Sequence, residues 1–205
     1  MQPLGLDDVM GRDRYGSERD QIRRRIIAHK RERRVIVGDR ITFLFEDRAT
    51  VWYQTQEMLW VEHITDLDAI REELAVYGAL LPGPSELSAT MLIEITDPER
   101  VRSELEALLG IDRCVALEIG PERVAGVFEE GRQTDFKLSA VQYVRFPLTD
   151  AARTRLAAGD PLVLVVDHPN YPQRTPLTGA TRASLAADLL DPAVAERALA
   201  RVRDG

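Results

Sequence analysis

A single cysteine, Cys114, among 205 residues excludes an internal disulfide framework and any zinc site built from several thiolates, and it suits a reducing compartment. Long apolar runs are missing too: no stretch approaches the roughly 18 residues of a membrane span. The opening MQPLGLDDVMGRDRYG has no continuous apolar core of a secretory signal, so the expectation is a cytoplasmic chain without membrane contact. No GxSxG elbow, P-loop, glycine-rich dinucleotide fingerprint, HExxH or CxxC occurs, which removes the hydrolase, nucleotide and thiol-redox signatures that can be recognised by spacing. Nothing in RCVALE beyond Arg113 would depress the Cys114 pKa, so nucleophilic catalysis by that thiol is rejected. With a net charge of −7 and a pI near 5.1, the whole molecule does not attract nucleic acid or anionic membrane, and nucleic-acid binding is not expected.

The chain does carry enough apolar residues, 44%, to bury a sizeable core. Residues 1–16 read as a flexible segment and 17–205 as one domain. Residues 17–34 form a basic helix with Ile22, Ile26 and Ile27 as its apolar seam. From Arg19 to Arg40 there are nine Lys or Arg against three acids. RVIVGDRITFLFE follows as a β-hairpin around a two-residue Gly38-Asp39 turn. A helix over 49–64 and another in DLDAIREELAVYGALL end at Pro82-Gly83-Pro84, where proline cannot continue a helix. TMLIEIT is a strand, and Asp97-Pro98 starts a helix whose stripe is Val101, Leu105, Leu108 and Leu109. CVALEIG, RVAGVFEEG and SAVQYVRFPLT are β-type runs joined by glycine-containing turns. A short helix capped by Thr149, the strand PLVLVVDHP and C-terminal helices restarted at Asp191-Pro192 complete the pattern. The expected fold is α+β: a mainly antiparallel sheet of about five strands flanked by helices, with an N-terminal helix and β-hairpin.

Three places could hold chemistry. In TVWYQTQEMLWVEH, Gln54 and Glu57 share a helix face while Val51, Trp52, Met58, Leu59 and Trp60 cover much of the rest, so Glu57 is expected to be buried. A buried carboxylate must be paired, hydrogen-bonded or protonated. Glu57 is therefore either a metal ligand or general acid/base oriented by Gln54, or the partner of an arginine from the basic helix. Glu94 shares a strand face with Thr90 and Leu92, opposite Met91, Ile93 and Ile95. It either approaches Glu57 to form a carboxylate pair or a divalent-metal site, or it faces solvent or a salt-bridge partner. In DHPNYP, His168 could ligate a metal or shuttle a proton, with Asp167 behind it and Tyr171 lining the pocket, or it simply bonds a backbone carbonyl. Glu118 raises the same issue more weakly. The segment RRRIIAHKRERR, with Arg24 and Arg25, reads as a contact surface for acidic partners, or alternatively for RNA, although it lacks interleaved aromatics for stacking.

Taken together, RRRIIAHKRERRVIVGDRITFLFEDRATVWYQTQEMLWVEH, YGALLPGPSELSATMLIEIT and VVDHPNYP resemble the bacterial domain-of-unknown-function 3501 family over about residues 17–190, most recognisably in the QEM and PGPSELSAT stretches. That family brings no established catalytic residues. The resemblance implies, by the association of its members' genes with those of rubrerythrin-like and iron–sulfur proteins, an accessory role beside a redox, oxidative-stress or metal-handling system. An enzyme with a Glu57, Glu94 and His168 site is the alternative.

Overall fold

In a computed structural model of the chain, residues 1–129, 133–134, 137–191 and 193–205 are described. The end of RVAGVFEEG and Pro192 of the expected helix restart lie outside them. After a single turn at Leu6–Asp8 come α1 (Arg12–Arg31), β1 (Arg34–Val37), β2 (Ile41–Phe45), α2 (Arg48–Val61) and α3 (Leu67–Gly78). β3 (Glu86–Ile93) and α4 (Val101–Ala107) lead to β4 (Val115–Ile119), β5 (Glu122–Ala125) and β6 (Val127–Phe128). The short β7 (Gln133–Thr134) and β8 (Lys137–Leu138) pair with each other before β9 (Val141–Pro147) and α5 (Asp150–Ala158). β10 (Leu162–His168), β11 (Tyr171–Leu177), α6 (Gly179–Leu190) and α7 (Val194–Arg203) follow.

The fold is α+β, as the patterning indicates, with antiparallel pairing between neighbouring strands. Five strands form one sheet in the order β1-β2-β3-β9-β6, and four more form a second in the order β11-β10-β4-β5. Alternating residues of both sheets point into one shared core, among them Phe43, Phe45, Leu87, Met91 and Phe146 from the first and Val115, Leu117, Leu164 and Val166 from the second. Leu108 and Ile111, following α4, and Leu156 and Leu185 from α5 and α6, complete that core.

β5 and β6 are consecutive, so the chain crosses from the second sheet to the first at Gly126. There the Gly126 N–H donates to Val115 O at 2.9 Å, and a Cβ would stand 2.8 Å from Val144 Cγ2, so only glycine fits the close approach.

A second core lies among α1, α2, α3 and α7, built on Tyr15, Ile22, Ile26, Val51, Trp52, Leu199 and Val202. β2 is buried along its whole length, because it has the shared core on one side and this helical body on the other. Of residues 1–16, Leu4, Met10 and Tyr15 are buried. The Gln56 amide holds both backbone groups of Met10 at 2.9 Å, and Trp52 Nε1 donates to Asp8 O at 2.8 Å. No helix among the described residues is long and apolar enough to cross a membrane.

The hairpin differs from a two-residue turn. Val37 pairs with Ile41, so three residues, Gly38 to Arg40, make the loop, with Gly38 at φ +66°. The cause is a clasp from the second sheet. The Tyr171 hydroxyl donates to Val37 O at 2.7 Å and accepts from the Asp39 and Arg40 N–H groups at 2.9 and 3.1 Å. It thereby joins β11 to the β1–β2 hairpin, and a Cβ on Gly38 would collide with the hydroxyl at 2.3 Å. Removing the hydroxyl leaves a buried carbonyl and two amides without that partner. Tyr171→Phe should therefore cost about 1–3 kcal/mol and lower the melting temperature by several degrees in thermal unfolding followed by circular dichroism; an unchanged melting point would show that the clasp carries no stability.

Candidate functional site

The residues singled out in the sequence fall in separate settings. Glu57 faces α1, where Arg19 meets it bidentately (Nε–Oε1 2.8 Å, Nη2–Oε2 2.7 Å) and the Tyr15 hydroxyl donates at 2.6 Å. The Arg19 bonds, with help from Tyr15, hold the Glu57 pKa below the usual carboxylate range against the opposing effect of burial. Arg19 also lies 4.3 Å from the centroid of the Trp60 ring, so the pair is walled by the tryptophan of the same helix. Gln54 sits half-buried one turn earlier.

Glu94 is exposed just past the end of β3 and accepts from the Thr42 hydroxyl at 3.0 Å. It borders a cleft of about 260 Å³ with Asp39, Arg40, Asp97, Arg100 and Glu104, in which Arg40 and Arg100 both pair with Glu104. His168 is buried at the β10–β11 turn; its Nε2 meets Leu109 O at 3.0 Å and its Nδ1 meets the Asn170 N–H at 3.2 Å. Both ring nitrogens are thus in use. Asp167 is exposed and paired with Arg123, while Glu118 lies between Arg123 and Arg174. Arg25 donates to the Val202 and Arg203 carbonyls at 2.8 and 2.9 Å, satisfying the end of α7, and Arg24 is exposed. Among the described residues no group of three His, Cys, Asp or Glu side chains is placed to hold a metal ion.

A polar cluster that the sequence pattern did not single out lies at the start of α2. Glu46, Asp47 and Arg48 are consecutive and all buried, as is Arg33. Asp47 is the N-cap of α2: its carboxylate accepts from the Thr50 N–H at 2.9 Å, and its own N–H donates to the Thr50 hydroxyl at 2.9 Å. The same carboxylate takes His29 Nε2 at 2.6 Å and Arg33 Nη1 at 3.4 Å. Burial works against its charge, but Arg33 and His29 outweigh it and pull the pKa well down. Arg33 reaches further, to Asp188 at 2.5 Å, Ser184 at 2.9 Å and the Phe45 and Glu46 carbonyls at 2.9 and 3.1 Å. Arg48 pairs with Asp8 and Glu196, tying the N-terminal segment and α7 to α2.

Glu46 is different. Its carboxylate is met by two hydroxyls, Thr50 at 2.5 Å and Thr90 at 2.6 Å, with no ion pair among the described residues. Burial raises its pKa, and these two bonds only partly oppose that. Neighbouring Lys30, over the Tyr53 ring at 5.2 Å, is shifted down by burial. Glu46 lines a cleft of about 280 Å³ bordered by Leu80, Ser88, Val127, Phe128, Glu129, Tyr143 and Arg145. The register explains the grouping: Ser88 pairs with Arg145 and Arg145 with Val127, while Thr90 pairs with Tyr143, so one sheet face carries them side by side. The cleft's arginine is already engaged by Glu86 and by the Ala79 and Leu81 carbonyls.

The model of the family described as "Protein of unknown function (DUF3501)" matches residues 3–189. The chain belongs to the DUF3501 family. A crystal structure of a "novel protein of unknown function" from Burkholderia pseudomallei K96243 is similar to it at 39% identity and a TM-score of 0.87, covering 92% of this chain and 100% of that one. No curated protein matches.

For this DUF3501 chain the Glu57–Arg19 pair has a definite pH signature. A depressed carboxylate pKa contributes stability that is present above the unfolded glutamate pKa and lost as pH falls through the folded one. Glu57→Gln should be less stable than the parent chain by about 1–3 kcal/mol at neutral pH, and urea titrations should show the gap closing in acid below the ordinary glutamate range. A gap that persists unchanged at low pH would remove the ion pair as its cause.

Proposed function

We propose that this DUF3501 chain is a binding protein, an accessory that docks an acidic protein through the outward face of α1 and β1. The observation that carries the reading is a group of arginines without an ion pair among the described residues. Arg23, Arg24 and Arg31 on α1 and Arg34 on β1 are exposed, and none has a side-chain hydrogen bond or ion pair among the described residues. Most other described arginines are engaged, including Arg19, Arg33, Arg40, Arg48, Arg123 and Arg145. Exposed Ile27 (48%) and Ile36 (66%) lie among the four, which supplies apolar contact area inside a charged surround. A positive patch on a chain of net charge −7 steers and orients a negative partner rather than attracting polyanions at large. The redox or iron–sulfur character of that partner rests on the family resemblance.

The test uses an acidic iron–sulfur protein, a plant-type ferredoxin, as the probe in biolayer interferometry. Binding should weaken as salt is raised, and the triple variant Arg23→Glu, Arg24→Glu, Arg31→Glu should lose at least about tenfold in affinity with an unchanged circular-dichroism spectrum. Full affinity in the variant would remove α1 as the docking face; no binding by the parent chain would remove the partner class. Tighter binding to poly(U), with a steep salt dependence, would favour nucleic acid instead.

A further inference from the structure

We propose that the cleft bordered by β3, β6 and β9 is a binding site for a small organic cation, an amine carried on an apolar body, with Glu46 as its counter-ion. The first support is a contrast among the acids that the fold takes out of water. Asp47 has Arg33 and His29, Asp188 has Arg33, and Glu57 has Arg19. Glu46, only 2% exposed, has two threonine hydroxyls and no ion pair among the described residues, although the charge of Lys30 acts on it. A carboxylate so placed is costly to ionise until a cation arrives.

The second support is the lining. Ala79, Leu80 and Val127 give the roughly 280 Å³ cleft apolar walls, which suits the body of a small ligand, while Ala89 and Val144 border it from positions whose side chains face the shared core. Tyr143, on the same face as Ser88 and Thr90, is an aromatic lining residue, and aromatic rings favour organic cations over anions, whereas Phe128, paired with Val144, packs against the shared core. The third is charge. Within the lining the arginine, Arg145, is bound to Glu86 and two backbone carbonyls and does not pair with Glu46. Around Glu46 on the other side stand Lys30, Arg33 and Asp47, of which Arg33 is committed to Asp47 and Asp188. Ser88 uses its hydroxyl proton on Leu80 O at 2.5 Å, so the polar lining offers acceptors more than donors.

Benzylamine, a cation at neutral pH, is the probe, with benzyl alcohol and benzoate as neutral and anionic molecules of similar size. Titrated into the full chain and followed by amide NMR, benzylamine should shift the signals of Ala89, Val127 and Val144 saturably, with a Kd in the range of roughly 0.1–1 mM. It should bind at least about tenfold more tightly than either analogue. Glu46→Gln, which keeps an acceptor for the Thr50 and Thr90 hydroxyls, should abolish the preference for the amine over the alcohol. Val127→Trp, at an edge-strand residue that is 55% exposed and outside both cores, should block the mouth and remove binding even if the Glu46 variant folds poorly. Equal binding of the three probes, shifts that map elsewhere, or an amine preference that survives Glu46→Gln would each overturn the proposal. The docking face on α1 is untouched by either variant, so the two readings fail separately.

Discussion

The buried guanidinium of Arg33 is the point on which the two halves of the molecule meet. It issues from the short link between α1 and β1, and it binds the N-cap acid of α2, an acid and a hydroxyl on α6, and the carbonyls of Phe45, the last residue of β2, and Glu46 after it. Burial alone would disfavour its charge, but Asp47 and Asp188 outweigh that and hold it protonated. This side chain thereby adds directional bonds between the helices of one core and the strands of the other, beside the packing along β2. Directional bonds suit this role better than apolar contact, because a hydrophobic interface tolerates sliding whereas a planar fork with five donors does not. The stability cost of removing such a group is large, about 3–5 kcal/mol, since its carboxylate partners stay buried without it.

Much of the fold could be read from the chain because period and capping agree. The basic helix, the hairpin strands and the Thr149-capped helix have local patterns that match their burial, and TMLIEIT contains the second half of β3, which begins earlier, at Glu86, and ends at Ile93. The Glu57 alternative also resolves along a line the sequence allowed: its helix is apolar on most sides, α1 is rich in arginine, and Arg19 supplies the partner. β11 was harder to see. Pro172 and Pro176 interrupt YPQRTPL, and they are tolerated because β11 is an edge strand that needs no ladder bond on its outer side. The triplet Glu46-Asp47-Arg48 was hidden for the opposite reason. Three charged residues in a row read as a solvated helix start, and only tertiary packing between two cores reveals that all three are buried.

Tyr171 shows the same limit from another side. Its place after a proline-stiffened turn suggested a residue lining a pocket, yet the hydroxyl is spent on Val37, Asp39 and Arg40. No local pattern encodes that, because the groups it binds lie more than 130 positions earlier. The clasp and the Gly126 crossover act at the two sides of the sheet pair. One ties β11 to the hairpin of the first sheet and the other makes β5 and β6 a single path between sheets. The core is therefore bounded on both flanks by backbone-level connections, and the shared apolar residues need not by themselves hold the sheets in register.

Across the structure, α1 and the link that follows it supply partners to Asp47, to Asp188 and to half-buried Glu57. Arg19, His29 and Arg33 come from that one stretch and answer Glu57, Asp47 and Asp188. The arginines left over on the same helix point outward, so one basic segment serves both the interior and the surface. Glu46 feels the charge of Lys30 from the same helix but forms no ion pair among the described residues, because of where β2 ends. Its backbone carbonyl takes Arg33, which directs the guanidinium to the main chain, while its carboxylate turns to the Thr50 and Thr90 hydroxyls beside the cleft. A carboxylate that the fold could have paired from so close a supply, but does not, is the part of this molecule least explained by stability and best explained by a ligand.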